Sequence, residues 1–141
     1  MRQEGMKKEQ LDIELVRAFV VAAHGNLSEV KVLLQQEPGL VNAVMNWGGN
    51  DWESGLGAAA HTGNRDIAEY LIERGAWIDI FAAAMLGKLD IVKSILASFP
   101  DMIHSTGPHG IPLIRHAERG GEEAYAVLEY LQDVLKSPQP L

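Results

Sequence analysis

AAAHTGNRDIAEYLI, residues 58–72, is the stretch on which the fold turns. VVAAHGNLSEVKVLL (20–34) and AAAMLGKLDIVKSIL (82–96) overlay it without a gap. Each copy has a small or apolar run, then Gly25, Gly63 or Gly87, then a polar residue, then a second run of apolar residues at helical spacing. A fourth segment, IRHAERGGEEAYAVLEYL (114–131), matches through Gly120 and needs two extra residues before its end falls into register. Self-similarity of this kind marks stacked supersecondary units.

Each unit reads as a helix pair. The glycine should end the first helix, because a residue without Cβ enters the left-handed region at little cost. The second helix carries Val30, Leu33 and Leu34; Ile67, Tyr70 and Leu71; Ile91, Ile95 and Leu96; or Val127, Leu128 and Leu131. Such short helices are marginal alone in water. Ala58-Ala59-Ala60 and Ala82-Ala83-Ala84 allow close approach of helix axes, so the units should stack and bury one another's apolar faces.

The pattern resembles the ankyrin repeat over about residues 14–132. SGLGAAAHTGNRDIAEYLIERGAWID (54–79) carries the A-A-x-x-G, the apolar second helix and the G-A-x-V-N-like turn; PGLVN (38–42) and GIPLI (110–114) fit neighbouring parts of the repeat. No unit has T-P-L-H intact, and Ser54-Gly55-Leu56-Gly57 stands in its place. The resemblance implies an all-α, ankyrin-like helical solenoid of about four helix-turn-helix repeats with short terminal caps. It would form a single domain over 1–141, with units about 11–45, 46–79, 80–108 and 109–136.

The connections are unequal. Marker glycines lie 38, 24 and 33 residues apart, against a family period of about 33. The long connection contains NWGGNDW (46–52), an enlarged finger. The short one, AWIDIF, leaves Asp79 to cap a helix that starts almost at once. SFPDMIHSTGPHGIP (98–112) is dense in turn residues. Residues 6–24 read as one longer capping helix with Leu11, Leu15, Phe19 and Val20 inward and Lys7, Lys8, Glu9 and Asp12 outward. A last helix over 122–136 should stop at Ser137-Pro138-Gln139-Pro140 and leave a frayed tail.

Bulk properties narrow the function. The 141 residues carry a net charge of −7 and no cysteine. Thiolate metal sites and disulfides are excluded, and the acidic balance disfavours nucleic acid and anionic membranes. Neither a signal peptide nor a membrane span is expected, which reads as a cytoplasmic protein, monomeric or weakly oligomeric.

Chemical motifs are few. GLGAAA (55–60), with Asp79 22 residues after Gly57, fits a dinucleotide fingerprint, which requires a buried parallel strand just before its first glycine. NWGGNDWES does not read as one. His24 and His61 read as helix-end residues. His104, His109 and His116 lack the i, i+4 spacing of a helical zinc site, so the loop trio Asp101, His104 and His109 is the only grouping worth testing. No catalytic residue, cofactor or metal site is expected.

Trp47, Trp52 and Trp77 fall in turns, where large aromatics are unusual unless buried or used for binding. With Asn50, Asp51 and His61 they are the candidate contact residues for an unidentified protein partner, which the loops and first helices of a non-enzymatic interaction module would hold. The alternative is a small-ligand or metal-binding protein, or an enzyme, using the Trp- and His-rich loops.

Overall fold

The computed structural model describes residues 8–137. Lys7, residues 1–6 and Pro138–Leu141 lie outside the described residues, so the expected outward face at Lys7 and the frayed tail do too. The chain is mostly helical. Its helices are α1 (Ile13–Ala22), α2 (Leu27–Gln36), α3 (Gly55–Thr62), α4 (Arg65–Glu73), α5 (Ile80–Leu86), α6 (Leu89–Ser98), α7 (Leu113–Arg119) and α8 (Tyr125–Lys136). Among the described residues the only sheet is an antiparallel pair, β1 (Val44–Asn46) and β2 (Trp52–Ser54). None of the described helices is long and apolar enough to cross a membrane.

The helix pairs meet where the repeated glycines stand. Gly63 and Gly87 adopt φ of +73° and +78° and end α3 and α5. Gly25 and Gly120 also separate paired helices, but neither is left-handed. Gly120 is required for space instead, because a Cβ there would collide with the Met85 carbonyl. Four helices start at side-chain caps, which satisfy backbone donors that lack a helical partner. Asp12 accepts from the Glu14 N–H, Asn26 from Glu29, Ser54 from Gly57 and Asp79 from Ala82. Ser54 thus starts α3 without a T-P-L-H motif. The amino-terminal helix begins at Ile13, later than its apolar pattern suggests, because Asp12 caps it.

The first helices bury one another. α3 packs on α1 and α5, and α5 packs on α7. α5 is thin, with Ala82, Ala83 and Ala84 all fully buried. Across it α3 also reaches α7, and a Cβ on Gly63 would stand 2.7 Å from the Arg119 carbonyl oxygen. A straight row would keep these two helices apart; here the row curls. Two apolar cores result and α5 divides them. Ala82, Met85 and Leu86 join Phe19, Val20, Leu40 and Leu71, while Ile80, Ala83 and Ala84 join Val92, Leu113, Val127 and Leu131. On α6 it is Val92 that is buried, and Ile91 is exposed.

Polar side chains tie successive units together. Asn64 Nδ2 donates to the His24 carbonyl at 2.8 Å. Asn42 accepts from the Trp77 N–H and donates to the Gly75 carbonyl. The Arg65 guanidinium donates to the Leu86 and Met85 carbonyls at the end of α5, groups that the helix itself cannot satisfy.

Candidate metal centre

The long connection folds as a hairpin. Val44 pairs with Ser54, Met45 with Glu53 and Asn46 with Trp52. Successive strand residues point to opposite faces, so Met45 and Glu53 turn inward and Trp52 turns out. Gly48 and Gly49 take positive φ at the tip, and the Trp47 N–H donates to the Asp51 carbonyl at 2.8 Å. The outcome is a carboxylate in the core: Glu53 is 1% exposed.

A buried carboxylate is costly unless polar partners surround it, and here four side chains converge. Trp47 Nε1–H donates to Oε1 at 2.8 Å, and His61 Nε2 stands 2.8 Å from Oε2. His24 Nε2 lies 3.2 Å from Oε2, and His109 Nε2 lies 3.3 Å from Oε1. The His24 and His109 rings each meet the His61 ring edge to face, with centroids 5.1 and 5.3 Å apart. Burial works to raise the Glu53 pKa, but the hydrogen bonds from His61 and Trp47 and the nearby His24 and His109 outweigh it and leave it lowered.

His109 arrives from the connection between α6 and α7. It has φ of +63° and is the one non-glycine residue with positive φ among those described. Histidine tolerates the left-handed region better than most residues, but such strain persists only when its surroundings hold it. Asp51 supplies the hold. Its Oδ1 accepts from the His109 backbone N–H and its Oδ2 from Nδ1–H, both at 2.8 Å. The backbone bond from His109 lowers the Asp51 pKa most. Burial tends to depress the His109 pKa, yet the contacts to Asp51 and Glu53 prevail and raise it.

The donor set fits a metal ion. One atom from each of His24, Glu53, His61 and His109 can be chosen so that all lie within 4.8 Å of one another. Imidazole nitrogen and carboxylate oxygen bind divalent first-row ions at about 2.0–2.2 Å. In a four-coordinate ion with such bonds the ligand atoms stand about 3.4 Å apart, so the widest pair has at most about 1.4 Å to close around an ion. In two of the three imidazoles the other ring nitrogen is already engaged in the manner that metal-bound imidazoles require. His24 Nδ1–H donates to the Val20 carbonyl at 2.8 Å and His109 Nδ1–H to Asp51. Both rings thereby direct Nε2 at the centre.

The sequence-based candidates scatter around this point. His61 is inside the group. Trp47 is half-buried, holds Glu53, and lies under the Arg17 guanidinium. Asp51 acts through His109. Asn50 and Trp52 line the neighbouring cleft, and Trp77 stands away from the centre, 77% exposed. Of the trio Asp101, His104 and His109, only His109 joins the group. His24, a helix-end residue by sequence, also joins the group, and so does Glu53, which belongs to none of the sequence motifs. Alternation along W-E-S was the one signal that could have turned Glu53 inward.

A strand does precede Gly55, but not the buried parallel one that the fingerprint requires. It is short, antiparallel and carries the buried Glu53. The glycines after it serve packing: a Cβ on Gly55 would press on Phe19, and one on Gly57 would touch Pro108. This arrangement lacks the parallel strand of a dinucleotide fingerprint. No family model matches the chain, and no curated protein matches it in sequence.

Proposed function

We propose that the protein binds a divalent first-row transition ion through His24, Glu53, His61 and His109. One observation carries this reading. Three imidazole nitrogens from separate parts of the chain face a single buried carboxylate, and two of those imidazoles are anchored on their far side. Charge balance alone would need fewer converging groups. Zinc is the reference ion, since this mixed nitrogen and oxygen set suits it and it needs no redox partner.

Calorimetry of the chelator-treated chain with zinc tests the reading. The expected dissociation constant is micromolar or tighter, about −8 kcal/mol or more negative. His61→Ala and His24→Ala should each weaken it by about tenfold or more, the scale seen even for outer-shell partners. Cobalt substitution should give the visible absorption of a low-coordinate nitrogen and oxygen site. Zinc binding that survives both alanine substitutions would place the ion elsewhere and end the proposal.

A second reading concerns the wider surface. We infer an ankyrin-like solenoid of four units that binds a protein partner through its loops and first helices. The repeated glycine hinges and the row of packed first helices support the architecture. Exposed Trp77 and Trp52 support the binding role, because tryptophan is enriched among contact hot spots. Trp47 leaves that set, since its indole serves Glu53. The two readings are compatible, because the metal group does not include Trp77 or Trp52.

A further inference from the structure

Beside the metal group lies a cleft of about 700 Å³, between the hairpin, the loop around His109 and the start of α5. That is the size of a small-molecule site. Trp52, Phe81, Asp51 and Asp79 all line it, and neither lysine nor arginine lines it among the described residues. We propose that this cleft is a binding site for a small organic cation, an alkylammonium group held between the Trp52 and Phe81 rings and the Asp79 carboxylate. The proposal goes beyond metal binding and does not depend on it.

Charge makes the first selection. His109 is the only basic group in the lining, and its backbone N–H and Nδ1–H both go to Asp51. Little donor capacity is left there for an anion. Asp79 Oδ1 accepts from the Ala82 N–H, and its second oxygen carries charge that a cation can meet. A net charge of −7 over the whole chain adds a favourable long-range field.

The aromatics make the second. Trp52 is 53% exposed although it sits in a strand, and aromatic faces attract ammonium and guanidinium groups more strongly as these lose water. Phe81 is held from behind, its ring 4.8 Å from that of the buried His116. Gly107 closes over the same histidine, because a Cβ there would stand 3.2 Å from His116 Nε2. The wall is therefore built before a ligand arrives, which lowers the ordering cost of binding.

Choline and its uncharged isostere, 3,3-dimethylbutan-1-ol, provide the test, each titrated by calorimetry into the chelator-treated and the zinc-loaded chain. Choline should bind in both forms, and about tenfold more tightly than the isostere, a difference of about 1.4 kcal/mol. Asp79→Asn keeps a capping oxygen for α5 and should abolish that preference. Trp52→Ala should weaken choline several-fold, whereas Trp77→Ala, outside the cleft, should leave it unchanged. Equal affinity for the two probes, no choline binding up to millimolar concentration, or an undiminished preference in a folded Asp79→Asn chain would overturn the proposal. Loss of zinc binding with choline binding intact would count against the metal centre alone.

Discussion

Glu53 and His116 are both completely enclosed, yet the chain treats them in opposite ways. Glu53 stands among polar groups from the turn after α1, the hairpin, α3 and the loop before α7. His116 has one local bond, from Nδ1–H to the Pro112 carbonyl one helical turn back, and its Nε2 is buried without a partner. The first environment keeps a charge and gathers polar partners around it. The second removes charge: burial first of all depresses the His116 pKa, with Pro112 and Asp79 only partly offsetting it. Enclosure alone therefore does not make a polar site; the number of distant segments that supply partners does.

The sharpest way to break the contrast is Glu53→Ala. Three imidazoles and an indole N–H would lose their common acceptor, and a cavity would open in the core. Breaking a buried, partnered charge costs about 3–5 kcal/mol, so a denaturant melt should show a loss of that order, together with loss of zinc binding. A change below about 1 kcal/mol would mean that Glu53 is no more integral than His116.

Trp47→Phe removes a single donor while keeping an aromatic ring. Leaving Glu53 Oε1 with a weaker set of partners should cost about 1–3 kcal/mol. If the melt does not move, the indole N–H contributes nothing to holding the carboxylate, and His61 carries that task.

Stability against pH separates the histidines of the two sites by sign, and Glu53 from His116 by pH range. The Glu53 pKa is lowered, so its contribution is present above the usual carboxylate range and is lost as pH falls through that lowered value. The His109 pKa is raised, so its contribution is complete below about 6.5 and is lost as pH rises through the raised value. His116 runs the other way from His109. Its depressed pKa makes the fold less stable as pH falls below about 6.5. His116→Phe should erase that component and leave the fall in the carboxylate range. Because it also removes an orphaned nitrogen, its cost near neutral pH should stay within about 1 kcal/mol. An unchanged acid limb would show that His116 does not titrate in this range.

The smallest effect belongs outside both sites. Trp77→Ala should alter stability by no more than about 0.5 kcal/mol, because the ring is 77% exposed. A loss of several kcal/mol would show that the ring is packed in solution, and would remove the partner-binding role inferred for it.

The sequence by itself determined what neighbours along the chain can settle. Helix pairing, the hinge positions, the Asp79 cap and most inward residues of the second helices follow from propensities and spacings within about ten residues. It erred where a local signal had more than one solution. Gly25 and Gly120 looked left-handed like Gly63 and Gly87, but Gly120 is fixed by its contact with Met85. Ile91 and Val92 are both apolar neighbours, and packing against the second core chose Val92.

The tertiary structure alone decided the candidate site. Its ligands stand at 24, 53, 61 and 109, on four segments that share no spacing rule. Trp47 and Trp52 looked equivalent, five residues apart in one turn. The hairpin register separated them, sending one indole to a buried carboxylate and the other to a solvent-facing cleft. The approach of α3 to α7 also lies beyond local pattern. It depends on α5 being thin enough for α3 to approach α7. A helical or strand period reports which face of one element is apolar; it cannot report which faces of different elements meet, and that meeting is what makes His24, Glu53, His61 and His109 one group.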